Sequence, residues 1–283
     1  MTRPLEGPAP KLQTPPGAVD THIHFYTSDY EGQPGGPPPP AEDATVEDYA
    51  IVQKRLGLSR AVVVQGNAYQ LDNRCTLEGL AKLGENGRGV VCLTADVSEA
   101  ELDHLDKLGV RGARIMQLPG GAVGLDQLLP VNDRISPFGW HPIVQFDGGK
   151  ILEYESLLNQ IRGTYVIDHM GKFLEPVEPD SAEFRALLRL VDRGNCYVKV
   201  AACYETSKTG GPDYADVGLL SSQIIAHAPE RMLWASNWPH VSVQPPNYPD
   251  DAELLDVLLT WAPDEAVRKA ILVDNPARLY GFA

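Results

Sequence analysis

Eight short runs of apolar, β-branched residues recur along this chain, and a stretch with helical spacing separates each from the next. The runs are 18–24, 60–66, 89–95, 112–116, 141–146, 165–169, 196–201 and 232–237. Between them, 45–58, 76–84, 98–108, 151–161, 181–192 and 216–227 carry apolar residues three to four apart, the period of a helix with one buried face. Ser98 with Glu101, and Asp180 with Glu183, are helix-start signals. The segment 126–138 is a weaker helix because Pro130 interrupts it, and 251–280 closes the chain as one or two helices broken at Pro263-Asp264. Strands alternating with helices need a parallel sheet covered by helices, and eight such units over ~250 residues predict an α/β fold, a single-domain (β/α)₈ barrel. A doubly wound sheet would carry a glycine-rich turn between its first strand and first helix. Here the first strand ends in histidines. The Gly84–Gly89 stretch follows a helix and enters a strand, the wrong order for that turn. We therefore expect a barrel over 18–283, preceded by a polar, proline-rich extension over 1–17.

Composition narrows the function. The 283 residues carry a formal net charge of -14 and no Lys/Arg cluster, which argues against nucleic acid and anionic membranes as partners. An anionic substrate would need local Arg or Lys to offset that field. Cys75, Cys92, Cys196 and Cys203 show no CxxC spacing and read as reduced, buried thiols. No run reaches the ~20 apolar residues of a membrane span, and the N-terminal stretch has no apolar signal-peptide core. A soluble cytoplasmic protein is expected. A homo-oligomer is compatible with these features, and no surface patch argues for one.

Nearly every strand ends in polar residues: His22 and His24; Gln65 and Asn67; Thr94 and Asp96; Arg114; Gln145 and Asp147; His169; Lys199; Asn237. A barrel brings those ends to one face. Residues i and i+2 share a face in a strand, so His22 and His24 project together. Paired imidazoles hold a metal or serve as polar catalytic groups. His22, His24 and His169 offer three nitrogens to a metal, but Arg114 adds a repelling charge and Asn237 is a poor ligand for a hard cation. Asp168 and His169 are adjacent, so a regular strand sends them to opposite faces; His169 is assigned to the site and Asp168 to structure. Lys199 is read as an ion-pair lysine rather than a Schiff-base nucleophile. Asp147 reads as a helix start, Arg74 and Lys172 as anion contacts or solvated charges, and Trp140, Trp234 and Trp261 as packing. Trp238 is placed at the pocket wall. The loop 26–43, with four consecutive prolines, reads equally as a surface excursion and as a flank of the site mouth.

The HxH strand end, Ile167-Asp168-His169, Ser236-Asn237-Trp238-Pro239-His240 and the tail Asp274-Asn275-Pro276-Ala277-Arg278-Leu279-Tyr280-Gly281-Phe282 resemble the amidohydrolase superfamily. More narrowly they resemble its lactone-processing branch, with Gly66-Asn67-Ala68, Leu118–Val123 and Val144-Gln145-Phe146-Asp147-Gly148 adding to the likeness. Metal-bearing members place HxH on the first strand, Lys or Glu on the fourth, His on the fifth and sixth, and Asp on the eighth. This chain matches at His22, His24 and His169 and departs at Arg114, Gln145 and Asn237. The aspartate activates water in hydrolytic members, and a neutral amide cannot act as that base. The resemblance therefore implies an isomerase that converts a hexaric-acid 1,5-lactone (galactaro-1,5-lactone) to the 1,4-lactone by intramolecular acyl migration in sugar-acid catabolism. Hydrolysis of a related dicarboxylate lactone is the alternative. No cofactor and no metal are expected. On this reading His22, His24 and His169 supply acid/base and carbonyl-polarising groups, and Asn237 orients a hydroxyl or the oxyanion. Arg114 meets the free carboxylate, and Gln65, Asn67, Gln145 and Tyr204 meet sugar hydroxyls.

Overall fold

The computed structural model describes residues 3–283. Eight parallel strands run in sequence order: β1 Val19–Ile23, β2 Arg60–Val64, β3 Gly87–Val91, β4 Val110–Met116, β5 His141–Gln145, β6 Tyr165–Ile167, β7 Cys196–Lys199 and β8 Met232–Leu233. Helices α1 Val46–Leu56, α2 Arg74–Leu83, α3 Glu99–Lys107, α4 Leu128–Ile135, α5 Ile151–Leu158, α6 Ala182–Asp192 and α7 Ala215–His227 lie between them. This is the expected (β/α)₈ barrel in a single domain.

Most helix bounds fall within two or three residues of the sequence reading, because the caps are local. Thr45 caps α1 in a reciprocal box with Asp48, and Gly57 ends that helix in the left-handed conformation. The start signal ahead of α6 lies one residue later than read, with Ser181 accepting from Phe184 N. Pro130 does not break α4: it is the third residue of the helix, where its missing N–H has no intrahelical partner to lose. The tail folds as α8 Asp251–Asp256, α9 Leu258–Trp261, α10 Glu265–Lys269 and, after a π turn, α11 Asn275–Tyr280.

β8 ends at Leu233, four residues short of the expected bound. The chain beyond it turns its backbone to β1 and completes the barrel: Thr21 N donates to Trp234 O (3.2 Å), Asn237 N to His22 O (3.1 Å) and His24 N to Trp238 O (2.9 Å). Asp20 reinforces this seam from the side-chain level. Its carboxylate accepts from Ser236 Oγ (2.5 Å), Ser236 N (3.1 Å), His22 N (3.2 Å) and Tyr49 Oη (3.1 Å).

Side-chain alternation layers the barrel interior. Ile143, Val166 and Tyr197 stand two residues before Gln145, Asp168 and Lys199, so they share a face one layer lower. With Val19, Val62, Val64, Val90 and Leu233 they form an apolar cluster that Tyr280 and Phe282 of the tail join. The polar layer at the strand C-termini therefore rests on a dry floor. The 3–17 segment lies against the barrel: Leu12 N and Lys11 N donate to Asp256, Thr14 Oγ1 donates to Gly57 O, and Arg3 Nε donates to Pro239 O (3.0 Å). The loop 26–43 is pinned by a Tyr26–Ala44 bridge. Gln33 N donates to Ala68 O (2.7 Å), so the loop flanks the mouth beside the turn after β2.

Candidate active site

The residues at the strand C-termini form one buried polar layer: His22, His24, Arg114, Gln145, Asp168, His169, Lys199 and Asn237 are all 5% exposed or less. Burying this many polar groups is costly unless they bond to one another, and they do. Lys199 Nζ stands 3.0 Å from both His22 Nδ1 and Asp168 Oδ1. His22 Nε2 stands 3.2 Å from His24 Nε2, and His24 Nδ1 lies 2.8 Å from Val64 O. The directions follow from the donors available. A carbonyl only accepts, so His24 Nδ1 carries its proton and Nε2 accepts; His22 therefore donates from Nε2 and accepts from Lys199 at Nδ1.

Burial sets the protonation states. Burial, with the Arg114 and Lys199 charges, holds His24 down to about 3. Burial and Lys199 hold His22 well below its ordinary range, and burial does the same to His169 against the pull of Asp168. All three imidazoles are neutral at neutral pH. Asp168 would be pushed up by burial, but Lys199, His169 and Arg114 outweigh that and hold its carboxyl low. Lys199 is itself lowered by burial, with Asp168 opposing.

Asp168 was expected to face away from His169. Instead both meet His22, whose Nδ1 is 3.4 Å from Asp168 Oδ1 and whose ring centroid is 4.8 Å from that of His169. The strand stops at Ile167, and His169 and Met170 turn left-handed (φ 50 and 56), which breaks the alternation on which the expectation rested. Asn237 and His240 are left-handed too (φ 61 and 63). Strain of this kind is held in place by the surrounding fold and gathers at functional sites.

Arg114 is the second centre of the layer. Nη1 donates to Gln65 O (2.7 Å) and Asn67 Oδ1 (2.9 Å), and Nη2 to Gln145 Oε1 (3.0 Å). Every one of these acceptors is neutral. Arg114 Nε and His169 Nδ1 have no hydrogen-bond partner although both are buried. A buried guanidinium bonded only to neutral acceptors suits an anion.

Gln65 does not belong to this layer. Val64 faces the interior, so Gln65 points outward. Its amide donates to Gln70 O and Asp72 O and accepts from Thr76 Oγ1, so it holds the β2–α2 turn. Thr94 and Asp96, at the β3 end, bond to each other. Asp147 caps the turn 148–150. Trp238 is fully buried between Phe25 and Tyr49, with Arg3 over its ring at 5.5 Å, and does not line a pocket.

At Asn237 the structure gathers Tyr204, which the sequence reading set against a sugar hydroxyl, with Glu205, His240 and Asp251, to which that reading gave no role. Asn237 Nδ2 donates to Tyr204 Oη (2.8 Å) and, at 3.4 Å, to Glu205 Oε1. Glu205 pairs with Lys172 and accepts from Ser242 Oγ (2.5 Å), so Lys172 is spent on this carboxylate. Tyr204 Oη lies 3.0 Å from His240 Nδ1, and His240 Nε2 lies 3.0 Å from Asp251 Oδ1. Tyr204, His240 and Asp251 stand too far apart in sequence to form a spacing motif. The one local signal was a half-buried loop tyrosine just past a strand end.

His22, Asp168 and His169 bring ligand atoms within 4.8 Å of one another, the grouping a divalent cation would use. The donor set does not fit one. The Lys199 ammonium already bridges His22 Nδ1 and Asp168 Oδ1, a guanidinium stands at the end of β4, and the amide of Asn237 is turned with its N–H bonds toward Tyr204. Cations placed there repel a metal ion, and no step below passes through one.

A parallel eight-stranded barrel with its polar layer at the strand C-termini defines a (β/α)₈ enzyme scaffold. The amidohydrolase family model matches residues 19–282, and the chain belongs to that family. It is 45% identical to a D-galactarolactone isomerase of Agrobacterium fabrum, over 99% of this chain and 96% of that protein. A 2-pyrone-4,6-dicarboxylate hydrolase of Comamonas testosteroni is 31% identical over 96% of this chain and 92% of its own length. The apo crystal structure of an Agrobacterium tumefaciens protein, 45% identical, superposes with a TM-score of 0.96 and covers 99% of both chains.

Proposed function

We propose that this protein is a lactone isomerase that converts D-galactaro-1,5-lactone to the 1,4-lactone. The full-length likeness to a D-galactarolactone isomerase supports the reaction. The observation that carries the substrate class is Arg114, a buried guanidinium bonded only to neutral acceptors. It takes the free carboxylate of the lactone, with the guanidinium held by Asn67 Oδ1 and Gln145 Oε1 and the Gln145 amide N–H left for a ring hydroxyl. The C4 hydroxyl attacks the C1 carbonyl, the tetrahedral oxyanion forms, and collapse expels the C5 oxygen, which takes up a proton. Neutral imidazoles suit the oxyanion, because they donate a hydrogen bond without bringing a charge that would trap it. Of the three, His169 alone has an unbonded ring nitrogen and takes this role, while Val64 O fixes the tautomer of His24 and, through it, that of His22.

Asn237 supports migration over hydrolysis. It has no basic lone pair to activate water, and the nearby Glu205 is neutralised by Lys172. The test is NMR observation of freshly prepared D-galactaro-1,5-lactone with the protein. Rapid appearance of the 1,4-lactone is expected, and open-chain galactarate as the sole product would refute the reading.

A further inference from the structure

We propose that Tyr204, backed by His240 and Asp251, is the group that carries the proton during acyl migration. The proposal rests on the isomerase reading and adds a residue assignment to it. Migration moves one proton from the C4 hydroxyl to the C5 oxygen and has no net proton change, so it needs a single group able to take a proton and give it back. His22 and His24 are poor choices: their ring nitrogens are all engaged in the chain from Lys199 to Val64 O.

The arrangement at Tyr204 has the required polarity. Asp251 Oδ1 only accepts, so His240 carries its proton on Nε2 and presents a lone pair at Nδ1. The Tyr204 hydroxyl donates to that lone pair. Asn237 Nδ2 donates to the Tyr204 oxygen, which fixes the phenol and leaves its second lone pair for a substrate hydroxyl. His240 and Asp251 are buried (1% and 2% exposed), whereas Tyr204 is half-buried. The layout repeats the logic of an activated nucleophile, with carboxylate, imidazole and hydroxyl in series. Here the hydroxyl relays a proton rather than attacking carbon.

The steps balance. As the C4 oxygen bonds to C1, its proton passes to Tyr204 Oη, the Tyr204 proton passes to His240 Nδ1, and the carbonyl electron pair moves onto oxygen. Asp251 stabilises the imidazolium. On collapse the carbonyl reforms, the bond from C1 to the C5 oxygen breaks, and that oxygen takes the proton back from Tyr204, which His240 reprotonates. Burial, with Glu205 beside it, keeps the phenol well above its ordinary range, so Tyr204 rests protonated and acts as a conduit.

The experiment compares Tyr204→Phe and His240→Asn with the wild type on the lactone. Asparagine keeps an acceptor where Nδ1 stood but cannot take up a proton. Both variants should lose about 10²–10⁴-fold in kcat with KM within about threefold, the usual contribution of a positioned acid/base. If His240→Asn supports a kcat within about threefold of wild type, a hydrogen-bond acceptor suffices and the relay is wrong. Tyr204→Phe removes one oxygen from a half-buried ring, so it decides the matter even if the buried variant does not fold. In ¹⁵N-histidine-labelled wild type, His240 should be the Nε2–H tautomer, with an Nδ1 resonance that moves in Tyr204→Phe. An Nδ1–H tautomer would overturn the relay. That readout needs no substrate, so a wild type inactive on the lactone refutes the isomerase reading while the relay is judged separately.

Discussion

Two residues set the character of the site, and both act through what they lack. Arg114 lacks a carboxylate partner, so its charge is available to a ligand. Arg114→Lys should raise KM for the lactone about 10–100-fold with a smaller change in kcat, because the ammonium loses the planar fork while keeping the charge. An unchanged KM would remove Arg114 from carboxylate binding. Asn237 lacks a basic lone pair, and its amide N–H bonds hold the Tyr204 oxygen. Asn237→Asp puts an acceptor where a donor stood and competes with His240 for the phenol proton. Isomerisation kcat should fall about 10²-fold, as read from initial rates by NMR, and unchanged kinetics would contradict this account of the amide. The sequence made both residues visible, because each stands at a strand end where the expected scaffold calls for another chemistry. Asp168 was misplaced for a local reason: strand alternation was extended one residue too far, into a left-handed turn that non-glycine residues rarely adopt. Gln65 fails in the opposite way, since it directly follows a regular strand and the alternation that puts Val64 inside sends it outward.

The elements were legible where their signals are local. The cap signal at Ser98 and the apolar period placed the helices, with the start of α6 read one residue early, at Asp180. The end of β8 was not legible, because Trp234-Ala235-Ser236 continues the apolar run while its backbone leaves β7 to bond with β1. Asp20 holds that junction, and its environment makes the junction sensitive to pH. Burial pushes its carboxyl up to about 6, against the hydrogen bonds of Ser236 and His22, which pull it down. A raised carboxyl pKa means the folded state holds a proton that the unfolded chain has lost between about pH 4 and 6, so stability from this group falls as pH rises through that window. The pH-dependent stability difference between wild type and Asp20→Asn, measured by urea unfolding, should therefore shift against the wild type by about 2–3 kcal/mol from pH 4 to pH 7. A flat difference would show that Asp20 does not titrate in that window.

At the scale of the whole molecule, the barrel divides its labour by layer. An apolar floor joined by Tyr280 and Phe282 lies beneath the polar layer to which the proposed chemistry is assigned. Among the described residues no helix is long and apolar enough to cross a membrane. The architecture could be read from the sequence because eight alternations leave few topologies open. The relay through Tyr204, His240 and Asp251 could not, because it joins the loop after β7, the loop after β8 and the start of α8, which meet only in three dimensions. The proposed relay implies acyl migration within one molecule rather than opening by water followed by reclosure. The direct test runs the reaction in H₂¹⁸O and analyses the 1,4-lactone by mass spectrometry before equilibration. Migration predicts no ¹⁸O in the product at early times; because either of the two equivalent carboxyl oxygens can leave on reclosure, ¹⁸O in a substantial share of the 1,4-lactone would contradict it.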